Sequence, residues 1–353
     1  SFINQRIKFI MAFTTINKSG DYFNTKLYTG NGGTQSITDV GFQPDLTWIK
    51  QRGGTTNHVL YDAVRGAYWT MQSNTTNSQT ADDGLTAWNS GGWNMANVST
   101  TNGNGLSYVG WNWLGANGTA ANTAGSISST VSASTTSGFS IVQWTGTGSN
   151  ATVGHGLGVA PSLIITKAKN ASGRFWGVYS KPLGNTGVMA LNSTQAFDTS
   201  ATYWNNTSPT DTLFSVGTNG DTNSASSMIA YCFADVQGYS KFGSYVGNGS
   251  TNGPFIYTGF KPAFVMGKKS SGVEDWFLFD NKRDSYNVNY KLLYPNASNA
   301  EYTGVSARND FLSNGFKMRT TDGKENQSGQ TYIYMAFASA PLVGTNNIPA
   351  NAR

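Results

Sequence analysis

Apolar residues in this chain come in short runs, and each run ends at a cluster of Gly, Asn, Ser or Thr. Leu46-Thr47-Trp48-Ile49, Leu163-Ile164-Ile165-Thr166 and Tyr332-Ile333-Tyr334-Met335 are typical. They are rich in β-branched and aromatic side chains, which suit a pleated, buried surface. The i, i+3, i+4 spacing of an amphipathic helix is scarce. Evenly spaced strands of this kind predict an all-β chain built as a sandwich or barrel. Near the start, Ile7, Phe9, Met11 and Phe13 alternate with Arg6, Lys8 and Ala12, the period of a half-buried strand. Residues 1–17 therefore read as an opening strand, or as an N-terminal arm that adds to a neighbour's sheet edge. Met11-Ala12 also reads as a natural start, with the first ten residues an upstream extension.

Four landmarks recur three times in the same order. The first is an aromatic-x-Gly-x-Gly element at Tyr28, Trp144 and Tyr245. Thirteen or fourteen residues later comes Gly-x-x-Pro, as Gly41 with Pro44, Gly158 with Pro161 and Gly259 with Pro262. A lysine follows each proline at six residues: Lys50, Lys167 and Lys268. The third landmark is Leu60-Tyr61-Asp62, Val178-Tyr179-Ser180 and Leu278-Phe279-Asp280; the fourth is a closing hydrophobic strand at 108–113, 228–233 and 332–337. The glycines suit tight turns, and the proline fixes φ at the entry to a buried strand. The lysines read as solvated residues at strand ends, with contact to a ligand or neighbouring subunit as the alternative.

The expected fold is three tandem homologous β-sandwich modules: module 1 over 18–114, module 2 over 126–236 and module 3 over 237–342. Residues 115–125, uncharged and rich in Gly, Ala, Asn and Thr, read as a flexible linker, and 343–353 as a C-terminal tail. Modules 2 and 3 join almost directly through Asp235 to Lys241. They are expected to pack rigidly, with module 1 freer.

Composition narrows the function classes. At 353 residues the chain has room for two or three domains, and 13 % aromatic residues with only 12 % charged ones exclude global disorder. The net charge of +5 is scattered, in basic runs no longer than pairs such as Lys268-Lys269, so no nucleic-acid-binding stripe is expected. No apolar window approaches the length of a membrane span. A single cysteine, Cys232, permits no intrachain disulfide and no multi-Cys zinc site.

Candidate chemistry is sparse. His155 sits in a Gly-rich turn, and Cys232 reads as a small buried hydrophobe. Glycoside hydrolysis needs a carboxylate pair. Module 3 holds Glu274, Glu301 and Glu325 with Asp275, Asp280, Asp284, Asp310 and Asp322, but acids do not recur with the frame, since Ser180 stands where Asp62 and Asp280 do. No catalytic residue is expected. No cofactor or metal is expected either; for Ca²⁺, Asp82-Asp83 and Asp280 with Asp284 are the nearest candidates. What remains are aromatics in polar loops: Trp69, Trp88, Trp93, Trp204 and Tyr286. Such rings can stack on sugars while nearby amides bond the hydroxyls; packing under their own loops is the competing reading.

The segment Thr152-Val153-Gly154-His155-Gly156-Leu157-Gly158-Val159-Ala160-Pro161 through Lys167 resembles a repeat family of tailed-phage virion proteins, of marine cyanophage type, described as tail-fibre-like or virion structural. Gly253 to Phe264, Asp275 to Asp284, Phe311 to Lys317, Tyr332 to Ala338 and Asp39 to Lys50 resemble it too. The resemblance implies a concanavalin-like or jelly-roll sandwich on the virion exterior, with no catalytic residues. It implies a non-enzymatic tail-fibre or adhesion component that binds host surface glycan. Its partners would be other virion proteins and further copies of itself, a trimer among them. A capsid decoration protein held by its N-terminal arm is the alternative, favoured by the lack of heptads for a trimeric stalk. A polysaccharide depolymerase is the third reading.

Overall fold

The computed structural model describes residues 14–304, 306 and 308–344. The alternating stretch at 7–13, Met11-Ala12 and most of the expected tail lie outside them. Among the described residues strands account for 43 % and helices for 6 %, so the class is all-β, with several antiparallel sheets.

Three of these sheets share one strand order. In the first segment the opening strand Phe23–Thr29 pairs with the closing strand Ser107–Trp113. That strand pairs with the strand after the proline, Leu46–Gln51, which pairs with Val59–Asp62. The second segment repeats this with Phe139–Thr145, Ser227–Phe233, Leu163–Ala168 and Gly177–Ser180. The third repeats it with Ser240–Val246, Thr331–Pro341, Phe260–Lys269 and Trp276–Asp280. Each segment also carries a small second sheet: Gln35–Ile37 with Gly92–Met95 and Ala87–Asn89, Ala151–Gly154 with Leu213–Val216, and Phe255–Tyr257 with Gly315–Met318 and Asn309–Leu312.

The closing strands read as unbroken apolar runs because both of their faces are buried. Successive side chains point to opposite faces. Val109, Trp111 and Trp113 face a central core, as do Ile229, Tyr231 and Phe233, and Ile333, Met335 and Phe337. The alternate residues face the small sheet of their own segment: Tyr108 in the first, Met228, Ala230 and Cys232 in the second, Tyr332, Tyr334 and Ala336 in the third.

The central core draws on all three segments. Phe23 stacks on Phe337 with ring centroids 5.0 Å apart, Trp113 meets Phe233 at 6.3 Å, and Phe233 meets Phe242 at 5.9 Å. Each segment thus touches the other two. Three equivalent backbone hydrogen bonds close the ring: Gln79 N–H to the Lys169 carbonyl (2.8 Å), Phe197 N–H to Ser270 (2.9 Å) and Glu301 N–H to Arg52 (2.7 Å).

This corrects the expectation that the first segment is freer. The expected linker 115–125 is also anchored. Its residues Ala120–Asn122 form a strand on the second segment's sheet. Gly115 N–H and Asn117 N–H donate to Asp45 Oδ2, and Ala116 N–H donates to Ser132 Oγ. A buried carboxylate thereby fixes a stretch whose composition alone suggests mobility.

A fifth landmark explains the Gly-x-Gly turns. Asn102, Asn223 and Asn326 are fully buried in short helices. Their Oδ1 atoms accept from the N–H of Asn31, Thr147 and Asn248, between the two glycines. Their Nδ2 atoms donate to the carbonyls of Gly33, Ser149 and Ser250. A Cβ on Gly146 would stand 2.0 Å from the Ser224 carbonyl oxygen, so the turn admits only glycine there. Pro262 lies within its strand but at a register shift, where a missing N–H costs no ladder bond.

Candidate functional site

The repeated lysines are buried, not solvated: Lys50, Lys167 and Lys268 are each 0 % exposed. Lys50 Nζ donates to the carbonyls of Gln51 and Gly54, and Lys268 Nζ to those of Lys269 and Gly272. Lys167 Nζ donates to Thr76, in the first segment, and to Arg174. Burial lowers all three amines from 10.5 to about 8. They tie turns together, which corrects the solvated reading.

The fourth-strand acids mark contacts between segments. Tyr231 OH donates to Asp62 Oδ2 at 2.8 Å, and Trp111 Nε1 donates to Asp280 Oδ2 at 3.0 Å. Both carboxylates also hold a buried arginine three residues on, Arg65 and Arg283. The equivalent positions at the remaining contact are Met335, Ser180 and Leu183, so acid, arginine and donor are all replaced there. Asp280, a candidate for Ca²⁺ from sequence, is thus fully buried against Arg283. Asp82 accepts from Tyr61 OH and Gly84 N–H. Glu301 joins Arg52 and Arg283.

The five loop aromatics separate. Trp93 and Trp204 are 0 % and 1 % exposed and belong to the cores under the small sheets, which corrects their reading as surface rings. Each loop folds back over its own sheet, and Trp204 Nε1 finds the Gly187 carbonyl. Trp88 is half-buried beside Trp93. Trp69 is 39 % exposed on a strand that pairs with Thr80–Ala81, and Tyr286 is 85 % exposed.

Tyr286 stands in an insertion. From the fourth-strand acid position to the asparagine that caps the next contact, twelve residues separate Asp62 from Asn74 and Ser180 from Asn192, but sixteen separate Asp280 from Asn296. The three asparagines are equivalent, since their Oδ1 atoms accept from the N–H of His58, Trp176 and Trp276. The enlarged loop is braced at both ends. Asp284 Oδ2 accepts from the N–H of Tyr290 and Lys291 at 2.6 and 2.8 Å. The Asn287 amide makes a two-way pair with the Phe311 backbone, both bonds 2.9 Å.

Tyr286 lines a cavity of about 250 Å³ together with Lys261, Asn281, Asp284, Asn289 and Phe311. Asn281 Oδ1 and Asn289 Nδ2 are buried there without a hydrogen-bond partner, and Asn289 is 2 % exposed. Buried amide groups without partners are rare in folded proteins, and each costs about 1–3 kcal/mol. An exposed aromatic ring lining the same cavity as an unpaired acceptor and an unpaired donor is the chemistry of a polyhydroxylated ligand. Sequence reasoning found Tyr286 from its polar surroundings. Only the four-residue length difference between copies signalled Asn281 and Asn289.

A family model described as "Domain of unknown function (DUF7483)" matches residues 18–341. No curated protein and no solved structure matches the chain.

Proposed function

The chain belongs to the DUF7483 family, and we propose that it is a non-enzymatic attachment protein of a tailed-phage virion surface that binds host glycan at the Tyr286 cavity. In this reading the chain is three copies of one β-sandwich module. Each copy buries a core between its four-strand sheet and its small sheet, and the three lock around the shared aromatic core. The observation that carries the binding site is the third copy's insertion, which brings an exposed ring and two residues with unpaired buried amide atoms to the lining of one cavity. A pyranose presents an apolar C–H face to such a ring and hydroxyls to such amides. The likeness to tail-fibre-like virion proteins supports the location.

A glycan array probed with the purified chain tests the ligand. Binding is expected for the wild type, with about tenfold weakening in Tyr286→Ala and no release of reducing ends. An empty array, or binding untouched by Tyr286→Ala, overturns the site. Release of reducing ends makes the protein a depolymerase. Copy number per virion tests the location: a small count at a multiple of the tail's symmetry supports the fibre, and a count matching the capsomers makes it a decoration protein.

A further inference from the structure

We infer that the glycan is bound as a chain of several sugars, not by one terminal residue, and that it runs from the Tyr286 cavity across the outer face of the third segment's small sheet to Phe255 and Tyr257; this rests on the Tyr286 cavity being the glycan site. Phe255 and Tyr257 are 45 % and 56 % exposed, while Ile256 between them is buried in the core under that sheet. Successive side chains of a strand point to opposite faces, so both rings stand on the solvent side. The other copies carry no ring there. The buried pair Ile256–Phe316 corresponds to Ile37–Trp93 in the first segment and Val153–Phe214 in the second. Phe255 and Tyr257 therefore stand where the first segment has Ser36 and Thr38 and the second has Thr152 and Gly154. Those copies close without an aromatic residue at either position. A Cβ on Gly315 would stand 2.9 Å from Phe255 Cε2, so the ring fills space that a side chain at 315 would need.

The sheet connects these rings to the Tyr286 loop. Asn289 and Asn309 exchange backbone hydrogen bonds of 2.8 and 3.2 Å in an antiparallel bridge, so the loop adds to the edge of Asn309–Leu312. That strand pairs with Gly315–Met318, which pairs with Phe255–Tyr257. Three strand spacings separate the loop from the outer strand, about 14 Å at about 4.8 Å each. One pyranose cannot touch both ends, whereas an oligosaccharide can. Lys317 lies opposite Phe255, and Asp310 lies opposite Lys317. Residues directly opposite share a face, so polar groups that bond hydroxyls stand beside the rings. A face that mixes rings with polar groups suits a sugar chain, which offers apolar C–H faces and hydroxyls in turn.

Ladders of cello-, laminari- and chito-oligosaccharides, from disaccharide to hexasaccharide, test this by titration calorimetry, together with graded fragments of any polysaccharide bound on the glycan array. In at least one ladder, affinity is expected to rise about tenfold from disaccharide to hexasaccharide, the gain from stacking on two more rings. Phe255→Ser with Tyr257→Thr installs the residues of the first segment, Ser36 and Thr38. Both side chains are exposed, so the fold does not depend on them. This double variant is expected to lose the rise, so that the hexasaccharide binds no tighter than the disaccharide; Tyr286→Ala weakens every length. Affinity independent of length, or a rise that survives the double substitution, overturns the extended site and leaves the Tyr286 site standing. Array hits confined to terminal sugars do the same. An array with no binder overturns both readings.

Discussion

The contact between the first two segments can be rebuilt into the contact that lacks its charges. Asp62 and Arg65 are both fully buried; Asp62 also receives Tyr231 OH, and Arg65 donates to the carbonyls of Leu60 and Trp69. Asp62→Ser leaves a guanidinium in the core without its anion. Breaking a buried pair from one side costs about 3–5 kcal/mol. Arg65→Leu strands the carboxylate and costs a similar amount. The double substitution reproduces Ser180 and Leu183, which the second segment already tolerates at the same positions. It should therefore cost no more than either single change, a coupling of about 3 kcal/mol. Urea denaturation at pH 7, followed by tryptophan fluorescence, gives the four free energies. Additive losses would approach the whole stability of a typical domain, about 5–15 kcal/mol, and would leave the double variant largely unfolded. That outcome, or an Asp62→Ser loss under about 1 kcal/mol, refutes the paired-charge account of this contact.

Asn223→Ala is expected to cost about 2–3 kcal/mol in the same assay, because it strands the Ser149 and Gly217 carbonyls and the Thr147 N–H inside the second segment. Glu325 is fully buried where the first two segments carry Thr101 and Thr222. Burial raises its pKa well above the ordinary value, so the folded state binds a proton that the unfolded state releases. Its contribution is present below pH 4.5 and lost as pH rises towards the folded value. Glu325→Thr should therefore stabilise the chain at pH 7, with the gain vanishing below about pH 4, as read from urea midpoints across pH. Lys167 has the opposite linkage. Its folded value of about 8 lies below the unfolded 10.5, so the unfolded state holds more protons in that window. Relative to Lys167→Met, the wild type should gain stability as pH rises from about 8 towards 10.5, and a flat difference would show that the amine is not desolvated.

The frame was legible where the constraint falls on side chains next to each other in sequence. A strand buried on both faces must be apolar at every position, so Met228 to Phe233 announces itself. A turn that brings Gly146 against a carbonyl must keep its glycine. The ring was not legible, because Gln79, Phe197 and Glu301 close it with backbone N–H groups that any residue supplies. Buried Asn102, Asn223 and Asn326 looked like ordinary loop residues in an asparagine-rich chain. The lysines misled because a long polar side chain is ordinarily solvated. Here the stem is buried and the amine finds turn carbonyls. Trp93 and Trp204 misled in the reverse sense: polar neighbours surround them in sequence, while in space they meet the cores.

Threefold repetition separates what the fold requires from what a single copy adds. A feature present in all three copies, such as the turn glycines, the buried lysines or the capping asparagines, meets the same physical demand three times and needs no ligand to explain it. The acid–arginine–donor set occurs twice and is absent where Met335, Ser180 and Leu183 meet, so it is one of two workable solutions to packing the same contact. Only single-copy features lie outside this structural accounting. The longer loop that carries Tyr286 is one, and the unpaired amides of Asn281 and Asn289 lie at its base. The twelve-residue connections of the other copies show that the frame closes without those four residues. Function is therefore sought first at that loop, because it is where this chain departs from its own repeat and sets an exposed ring at the lining of a cavity.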